Sequence, residues 1–412
     1  MYMNLIRRFK SALCALALGL LACLGNDCTG PAAPSQPPAI VFNGSDILQS
    51  SPGVLPAGLK VGLITNHTGH DRHRNRTLDF LLGSKEIHLK ALFSPEHGLH
   101  GTLDRRIGDT TDAASGLKIY SLYGATRKPM PEQLAGLDAL IFDIQDIGCR
   151  FYTYISTMGL AMEAAAEAGI QFIVLDRVNP INGQTIAGPV REGESQFIAF
   201  HNIPVQHGMT GGELACMFNA ERGYRANLRV VPLEGWLRQM FFDETGQPWT
   251  NPSPNMRSLT QAILYPGIGL LETALSVGRG TDTPFEVIGA PYIDDTKLAD
   301  RLNALRQPGV TFVPIRFTPT ASVHKDQLCA GVNIIITDRH KIRPVPLGIA
   351  IASELHAMYP NNFPLPKLSR LLRHAPTLEA IAQNQPLQKI ESLWQTDLAK
   401  FKTRRAKFLL YK

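Results

Sequence analysis

Four small groups of carboxylates, amides and histidines recur in this chain of 412 residues: Asn66 and His67, Glu96 and His97, Asp143 with Gln145 and Asp146, and Asp176 with Arg177 and Asn179. Each group comes directly after a short apolar run. Two carboxyl groups whose surroundings separate their pKa values are the equipment of acid-assisted glycoside cleavage, one protonating the leaving oxygen while the other faces the anomeric carbon or its water. Glu96 is the best acid candidate. In "LFSPEHGLHG" Pro95 fixes the backbone before it, and Gly98 and Gly101 let a substrate come close. The competing structural reading has Glu96 capping a helix after it or pairing with His97. Asp143 and Asp146 are the candidates for a second catalytic group.

Histidines offer a rival chemistry. "NHTGHDRH" spaces His67, His70 and His73 by three, and "EHGLH" does the same for His97 and His100. That pattern brings a metal-dependent hydrolase into view. Both stretches contain glycine and read as loops, and HExxH is absent, so no metal is expected. "GIGLLE" (267–272) imitates a dinucleotide fingerprint without its third glycine, and neither a GxSxG elbow nor a Walker A loop is present. No cofactor is expected.

The elements that must position these residues are strands and helices in alternation. "LKVGLIT" (59–65), "HLKALFS" (88–94), "LDALIFDI" (137–144) and "IQFIVLD" (170–176) read as buried parallel strands. Between and after them, "NRTLDFLLG", "YISTMGLAMEAAAEAG" and "MTGGELACMFNAERG" read as helices, the last opening on Thr210 and Glu213 at capping-box spacing. The implied fold is α/β, a Rossmann-like doubly wound parallel sheet over 41–250. In such a sheet the strands' carboxyl ends share one edge, so all four polar groups are expected to face one crevice. Past Trp249 the chain becomes dense in glycine and proline, then shows further strands and a helix, which places a smaller α+β domain at 251–412.

Composition frames the rest. Apolar residues make up 44 % and charged ones 18 %, as in a globular protein. Arg7, Arg8 and Lys10 precede an apolar run from Ala12 to Ala22, the layout of a secretory signal over residues 1–23. Leu20-Leu21-Ala22-Cys23 resembles a lipoprotein box, which would attach a lipidated Cys23 to a membrane, and 24–40 is a proline-rich linker. An exported chain, periplasmic or membrane-anchored, is expected. The net charge of +6 includes three basic residues of that leader, and the basic end "KFKTRRAKFLLYK" carries Phe401, Phe408 and Leu409 at helical spacing, so it is expected to pack down and not to bind nucleic acid. Of the six cysteines, Cys14 lies in the leader and Cys23 at its end; Cys28, Cys149, Cys216 and Cys329 show no metal spacing and read as buried free thiols.

The blocks "GLITNHTG", "LFSPEHGLHG", "FDIQDIGCRFYTYISTM", "LDRVNPING", "HGMTGGELA", "PSPNMRSL", "YPGIGLLETALSVGRGTDTPFEVIGAPYID" and "CAGVNIIITDR" succeed one another from about Val61 to Arg339. In this order they resemble the bacterial exo-β-N-acetylmuramidase family, with Cys149 standing where a small apolar residue is expected. The resemblance implies a glycoside hydrolase that releases N-acetylmuramic acid from the non-reducing end of peptidoglycan fragments, at a cleft between the two domains, with Glu96 catalytic. Its partners would be muropeptides and other peptidoglycan oligosaccharides. The lactyl carboxylate of that sugar calls for a guanidinium, for which Arg150, Arg279 and Arg177 are candidates. Asn66, His97, Tyr152 and Glu286 complete the expected binding set, with Asn66 and Tyr152 orienting the substrate's acetamido group if that group is the nucleophile. The loop Gly278–Thr283 is expected to close the cleft. The alternatives are a non-catalytic muropeptide-binding lipoprotein and a histidine-based metal hydrolase.

Overall fold

Every one of the four apolar runs forms a strand, and the reason is visible in how their side chains divide. In the third run Leu140 and Phe142 enter a core on one side of the sheet while Ala139 and Ile141 enter a core on the other. In the fourth, Phe172 and Val174 take the first side, Ile173 and Leu175 the second. Side chains alternate along a strand, so burial of both faces demands a continuous apolar run.

The computed structural model describes residues 40–101 and 108–412. The expected leader and, Ile40 apart, the proline-rich linker lie outside the described residues. The first sheet comprises β1 (Lys60–Thr65), β2 (His88–Ser94), β3 (Thr110–Thr111), β4 (Lys118–Ser121), β5 (Ala139–Asp143), β6 (Gln171–Leu175) and, after the β7 (Ala187–Val190) and β8 (Pro204–Gln206) hairpin, β9 (Leu228–Val231). Its spatial order is β3-β4-β2-β1-β5-β6-β9. All neighbours are parallel except β3, which runs antiparallel to β4 at the edge. Counted along the chain, the six parallel strands lie in the order 3-2-1-4-5-6, the doubly wound arrangement, with its reversal between β1 and β5.

Helices cover both faces: α1 (Gly44–Ser50), α2 (Thr77–Gly83), α3 (Pro131–Leu134), α4 (Tyr154–Glu167) and α5 (Gly211–Glu221). The capping box of α5 forms as its spacing predicts. Thr210 Oγ1 accepts from the Glu213 amide at 3.2 Å, and Glu213 Oε2 accepts from the Thr210 amide at 3.1 Å.

Further on, α6 (Leu259–Ile268) leads to a three-stranded antiparallel sheet of β10 (Val287–Ala290), β11 (Val310–Phe317) and β12 (Cys329–Ile336), in the order β10-β12-β11. On this sheet packs α7 (Asp295–Ala304), and α8 (Pro344–Met358) packs against α6 and α7, after which come α9 (Ser369–Leu372), α10 (Ala375–Ala382) and α11 (Leu387–Arg405). From Ile40 to Lys412 the described residues form one compact unit. One apolar core runs through it, from Ile64 and Phe93 past Phe151 and Tyr265 to Ile288, Val332 and Phe401. The basic end does pack down: Phe401 is buried, and Tyr411 donates its hydroxyl to Asp176 at 2.6 Å. Cys149, Cys216 and Cys329 are free thiols.

Candidate active site

Glu96 stands where β2 ends. The chain turns there, with His97 and Gly98 both at positive φ (71° and 75°) and the Gly98 amide donating to Pro95 O at 3.0 Å. Glu96 therefore leads into a turn and not into a helix, so capping is not its task. Its half-buried carboxylate accepts a hydrogen bond from Thr153 Oγ1 at 2.5 Å. Thr153 occupies the N-cap position of α4 but forms no side-chain cap there. Its hydroxyl serves Glu96 instead.

The carboxylate opens on a pocket of about 220 Å³. Among the residues expected from sequence, Glu96, His97, Tyr152 and Arg279 line it. Tyr123, Thr153, Ser253, Asn255, Glu272 and Arg370 join them, beside an aromatic wall. In that wall Tyr265 meets Phe285 edge-on at 4.8 Å and Tyr152 at 5.9 Å, the kind of surface on which the apolar face of a sugar rests. The Tyr152 hydroxyl is buried in this lining, with the hydroxyls of Ser253 and Tyr154 beside it. Burial pushes the Tyr265 hydroxyl well above its ordinary pKa, Glu272 and Glu96 push it the same way and Arg279 opposes them, which places both carboxylates and this guanidinium around one ring. Arg279 Nη1 lies 3.7 Å from Glu272. Its loop is pinned from behind, with Thr320 Oγ1 donating to Gly280 O at 2.8 Å.

The proline-rich stretch at 249–256 reaches the pocket because sheet-edge residues hold it. Tyr154 donates to Pro252 O at 2.6 Å, His67 Nε2 meets Asn251 O at 2.6 Å, and His70 Nε2 meets Thr250 Oγ1 at 2.8 Å. These two histidines are therefore loop anchors. Burial lowers the pKa of His67, and the neighbouring His97 and His100 lower it further. Gly101 is obligatory here, since a Cβ would lie 1.9 Å from the His67 ring. Among the described residues no three His, Cys, Asp or Glu side chains converge closely enough to hold a metal ion.

The single crevice expected from the strand ends divides in two, and several expected residues leave the site. Asp143 is fully buried against Arg177, whose Nε donates to Asp143 Oδ1 at 2.6 Å while Thr77 Oγ1 donates to Oδ2 at 2.6 Å. Arg177 also reaches Ser45 and His70 O, so both members of this pair are structural. Asn66 accepts from the amide and hydroxyl of Thr68, and Thr68 Oγ1 in turn accepts from the Gln145 amide at 3.0 Å. This network fills the switch point between β1 and β5, where a ligand was expected.

Asp146 lies outside the pocket, beside a separate cavity of about 10 Å³, room for one water. Burial raises its pKa to about 7. Glu286 accepts from Gln261 at 2.9 Å and ties α6 to the second sheet. Arg150 is fully buried and, among the described residues, pairs with no carboxylate. Its guanidinium donates to the carbonyls of Pro189, Ile203, Leu371 and Leu372, at 2.8–3.1 Å. It thereby fixes the segment that carries Arg370 and Leu371 into the pocket. Arg150 positions the site and does not itself face it.

Sequence reasoning missed Thr153, Glu272 and Arg370. Thr153 and Glu272 lie within the blocks "FDIQDIGCRFYTYISTM" and "YPGIGLLETALSVGRGTD", but nothing near Arg370 signals a site. The chain matches the N-terminal model of the exo-β-N-acetylmuramidase NamZ over residues 61–260 and the C-terminal model over 263–411. It is 44 % identical over 361 residues to the peptidoglycan β-N-acetylmuramidase NamZ of Bacillus subtilis (strain 168), covering 86 % of this chain and 87 % of that one. Two crystal structures of DUF1343 family proteins from Bacteroides fragilis share the fold. One, at 38 % identity, superimposes with a TM-score of 0.85 over 91 % of this chain and all of the other; the second, at 30 % identity, gives 0.74 over 90 % and 99 %. The chain belongs to the NamZ exo-β-N-acetylmuramidase family and is a glycoside hydrolase.

Proposed function

We propose that this chain removes N-acetylmuramic acid from the non-reducing end of peptidoglycan fragments, with Glu96 protonating the leaving glycosidic oxygen. The observation that carries this reading is the Glu96 carboxyl, held by Thr153 at the wall of a pocket that also presents aromatic rings and two arginines. With Oε2 engaged by Thr153, the other carboxyl oxygen is the one that carries the proton to the substrate. The ring of the sugar rests on Tyr265 and Tyr152. The lactyl carboxylate is met by Arg370, which forms no ion pair among the described residues, with Arg279 beside it.

The second group is supplied by the substrate. Neither Asp143 nor Asp146 lines the pocket, and the Tyr152 hydroxyl, part of the pocket lining beside Ser253, orients a 2-acetamido group whose carbonyl oxygen attacks the anomeric carbon as the glycosidic bond breaks. Water then opens that intermediate. The test is hydrolysis of para-nitrophenyl β-N-acetylmuramide by the wild type and Glu96→Gln, with the first-formed anomer read by NMR. Turnover lost in the variant and a β-anomer product are expected. An α-anomer would overturn the acetamido route and assign Glu272 as the base, whereas full activity of Glu96→Gln would overturn the acid. Export and lipidation of Cys23 are part of the same proposal, suited to a cell-wall substrate. Labelled palmitate entering the wild type but not Cys23→Ala in cells is the expected result.

A further inference from the structure

On the other side of the active-site wall lies a second cavity, of about 150 Å³, that the catalytic reading does not use. Gln206 lines it. This residue is 3 % exposed, and its Oε1 is buried without a hydrogen-bond partner among the described residues. An unpaired buried carbonyl costs about 1–3 kcal/mol, and the cavity that the Gln206 side chain lines has room for the donor it lacks.

The remaining lining says what kind of donor. Asn182, Gln184 and Gln239 present side-chain amides. Phe241 supplies an aromatic edge, with His340 against it at 5.5 Å. The one guanidinium at the rim, Arg339, is already compensated, with ion pairs to Asp243 at 2.5 Å and Glu244 at 2.8 Å. An amide-rich, partly apolar cavity without an uncompensated charge suits a neutral ligand that carries several hydroxyl or amide donors on an apolar frame.

Two elements tie the cavity to the active site as its back-to-back neighbour. Gln206 pairs with Cys149 in an antiparallel bridge, and the residues just beyond, Phe151 and Tyr152, face the catalytic pocket. On α6, Ile263 faces the second cavity while Tyr265 faces the first. Residues two apart on a helix point to nearly opposite sides, so one helix separates the two sites.

We propose that this cavity is a second, non-catalytic binding site for a single neutral sugar ring of the N-acetylhexosamine class, one of whose O–H or N–H groups donates to Gln206 Oε1. The proposal stands independently of the catalytic roles assigned above. Its test uses the full chain with N-acetylglucosamine as probe and, in a second arm, its β-linked dimer, which tells a free monosaccharide from a chain end. Crystals soaked at about 10 mM, enough to saturate a site with a Kd of about 1 mM, are expected to show a ring in this cavity within hydrogen-bond distance of Gln206. In solution, NMR titration is expected to move resonances of both cavities, and Gln206→Leu should weaken binding at this one by at least about 10-fold, the worth of one hydrogen bond into a buried acceptor. Gln239→Ala, at the exposed rim, provides the second variant should Gln206→Leu fail to fold, and should weaken the same site. Water alone in the cavity of the soaked crystal, or titration of this cavity unchanged in either folded variant, would overturn the proposal.

Discussion

Thr153→Val removes the hydroxyl that holds Glu96 while keeping nearly the same shape. A hydrogen bond to a charged or ionisable partner contributes about 1.5–3 kcal/mol, and Thr153 Oγ1 stands 2.5 Å from Glu96 Oε2. If that bond is made fully in the transition state, kcat/KM for para-nitrophenyl β-N-acetylmuramide falls roughly 10–150-fold, at about 1.4 kcal/mol per decade. An N-cap hydroxyl that bonds its helix is typically worth about 1 kcal/mol, but Thr153 forms no such bond, so any loss of stability in the variant should not exceed the worth of the single bond to Glu96. Thr153→Ser restores the donor and should restore the rate. Activity within twofold of wild type in a folded Thr153→Val protein would refute the reasoning, and so would an equal loss in Thr153→Ser.

Arg370→Ala should raise KM for the muramide about 10-fold or more, the worth of one charge-assisted bond, and leave the corresponding glucosaminide, which lacks the carboxylate, unaffected in steady-state kinetics. Arg150→Met leaves four buried carbonyls without donors; denaturant unfolding should show a loss of at least about 3 kcal/mol, with KM raised because the segment bearing Arg370 is released. Asp146→Asn should stabilise the chain in a pH-dependent way. The wild-type carboxyl has its pKa raised from 3.8 to about 7 by burial, so between those values the folded state binds the extra proton and wild-type stability falls as pH rises, by about 4 kcal/mol in all, before levelling above pH 7. The advantage of the variant, measured by urea unfolding at a series of pH values, should therefore grow through that window, and an advantage independent of pH would count against a buried, ionising Asp146.

The strands were readable because both faces of the sheet are buried, which leaves no polar position in runs such as Ala139–Asp143 until the last residue. Strands β4 and β9 escaped notice because they are short and half exposed, "KIYS" and "LRVV". Of the residues expected at the site, Glu96 and Tyr152 line the pocket and Asp143 does not, and the difference is one of long-range pairing. A carboxylate at a strand end looks the same in sequence whether an arginine 34 residues further on reaches it or a pocket opens before it. At the β1–β5 switch the polar residues pair with one another, Asp143 with Arg177, and Thr68 with both Asn66 Oδ1 and the Gln145 amide. This network closes the crevice that fold geometry alone would have left for a ligand. Arg150 was misread for a related reason, because its partners are backbone carbonyls, which carry no signal of residue type.

What remains open after the switch point is filled is the neighbouring edge, beyond β2 and β4, and there the sheet supplies only part of a site. Glu96 and Thr153 come from its edge, whereas Tyr265, Glu272, Arg279, Phe285 and Arg370 come from the chain beyond 260. In the proposed mechanism, proton transfer and sugar recognition are thus assigned to different stretches of sequence, joined by two sets of hydrogen bonds. Tyr154 and His67 draw the 249–256 loop onto the sheet edge, and Arg150 draws the 371–372 turn against the β7–β8 hairpin. Substitutions at the two ends should therefore separate in kinetics, those at Glu96 and Thr153 in kcat and those at Arg370 in KM. Substitution at Arg150 should move KM without touching the acid, because the guanidinium bonds only to backbone and its loss releases the recognition side alone.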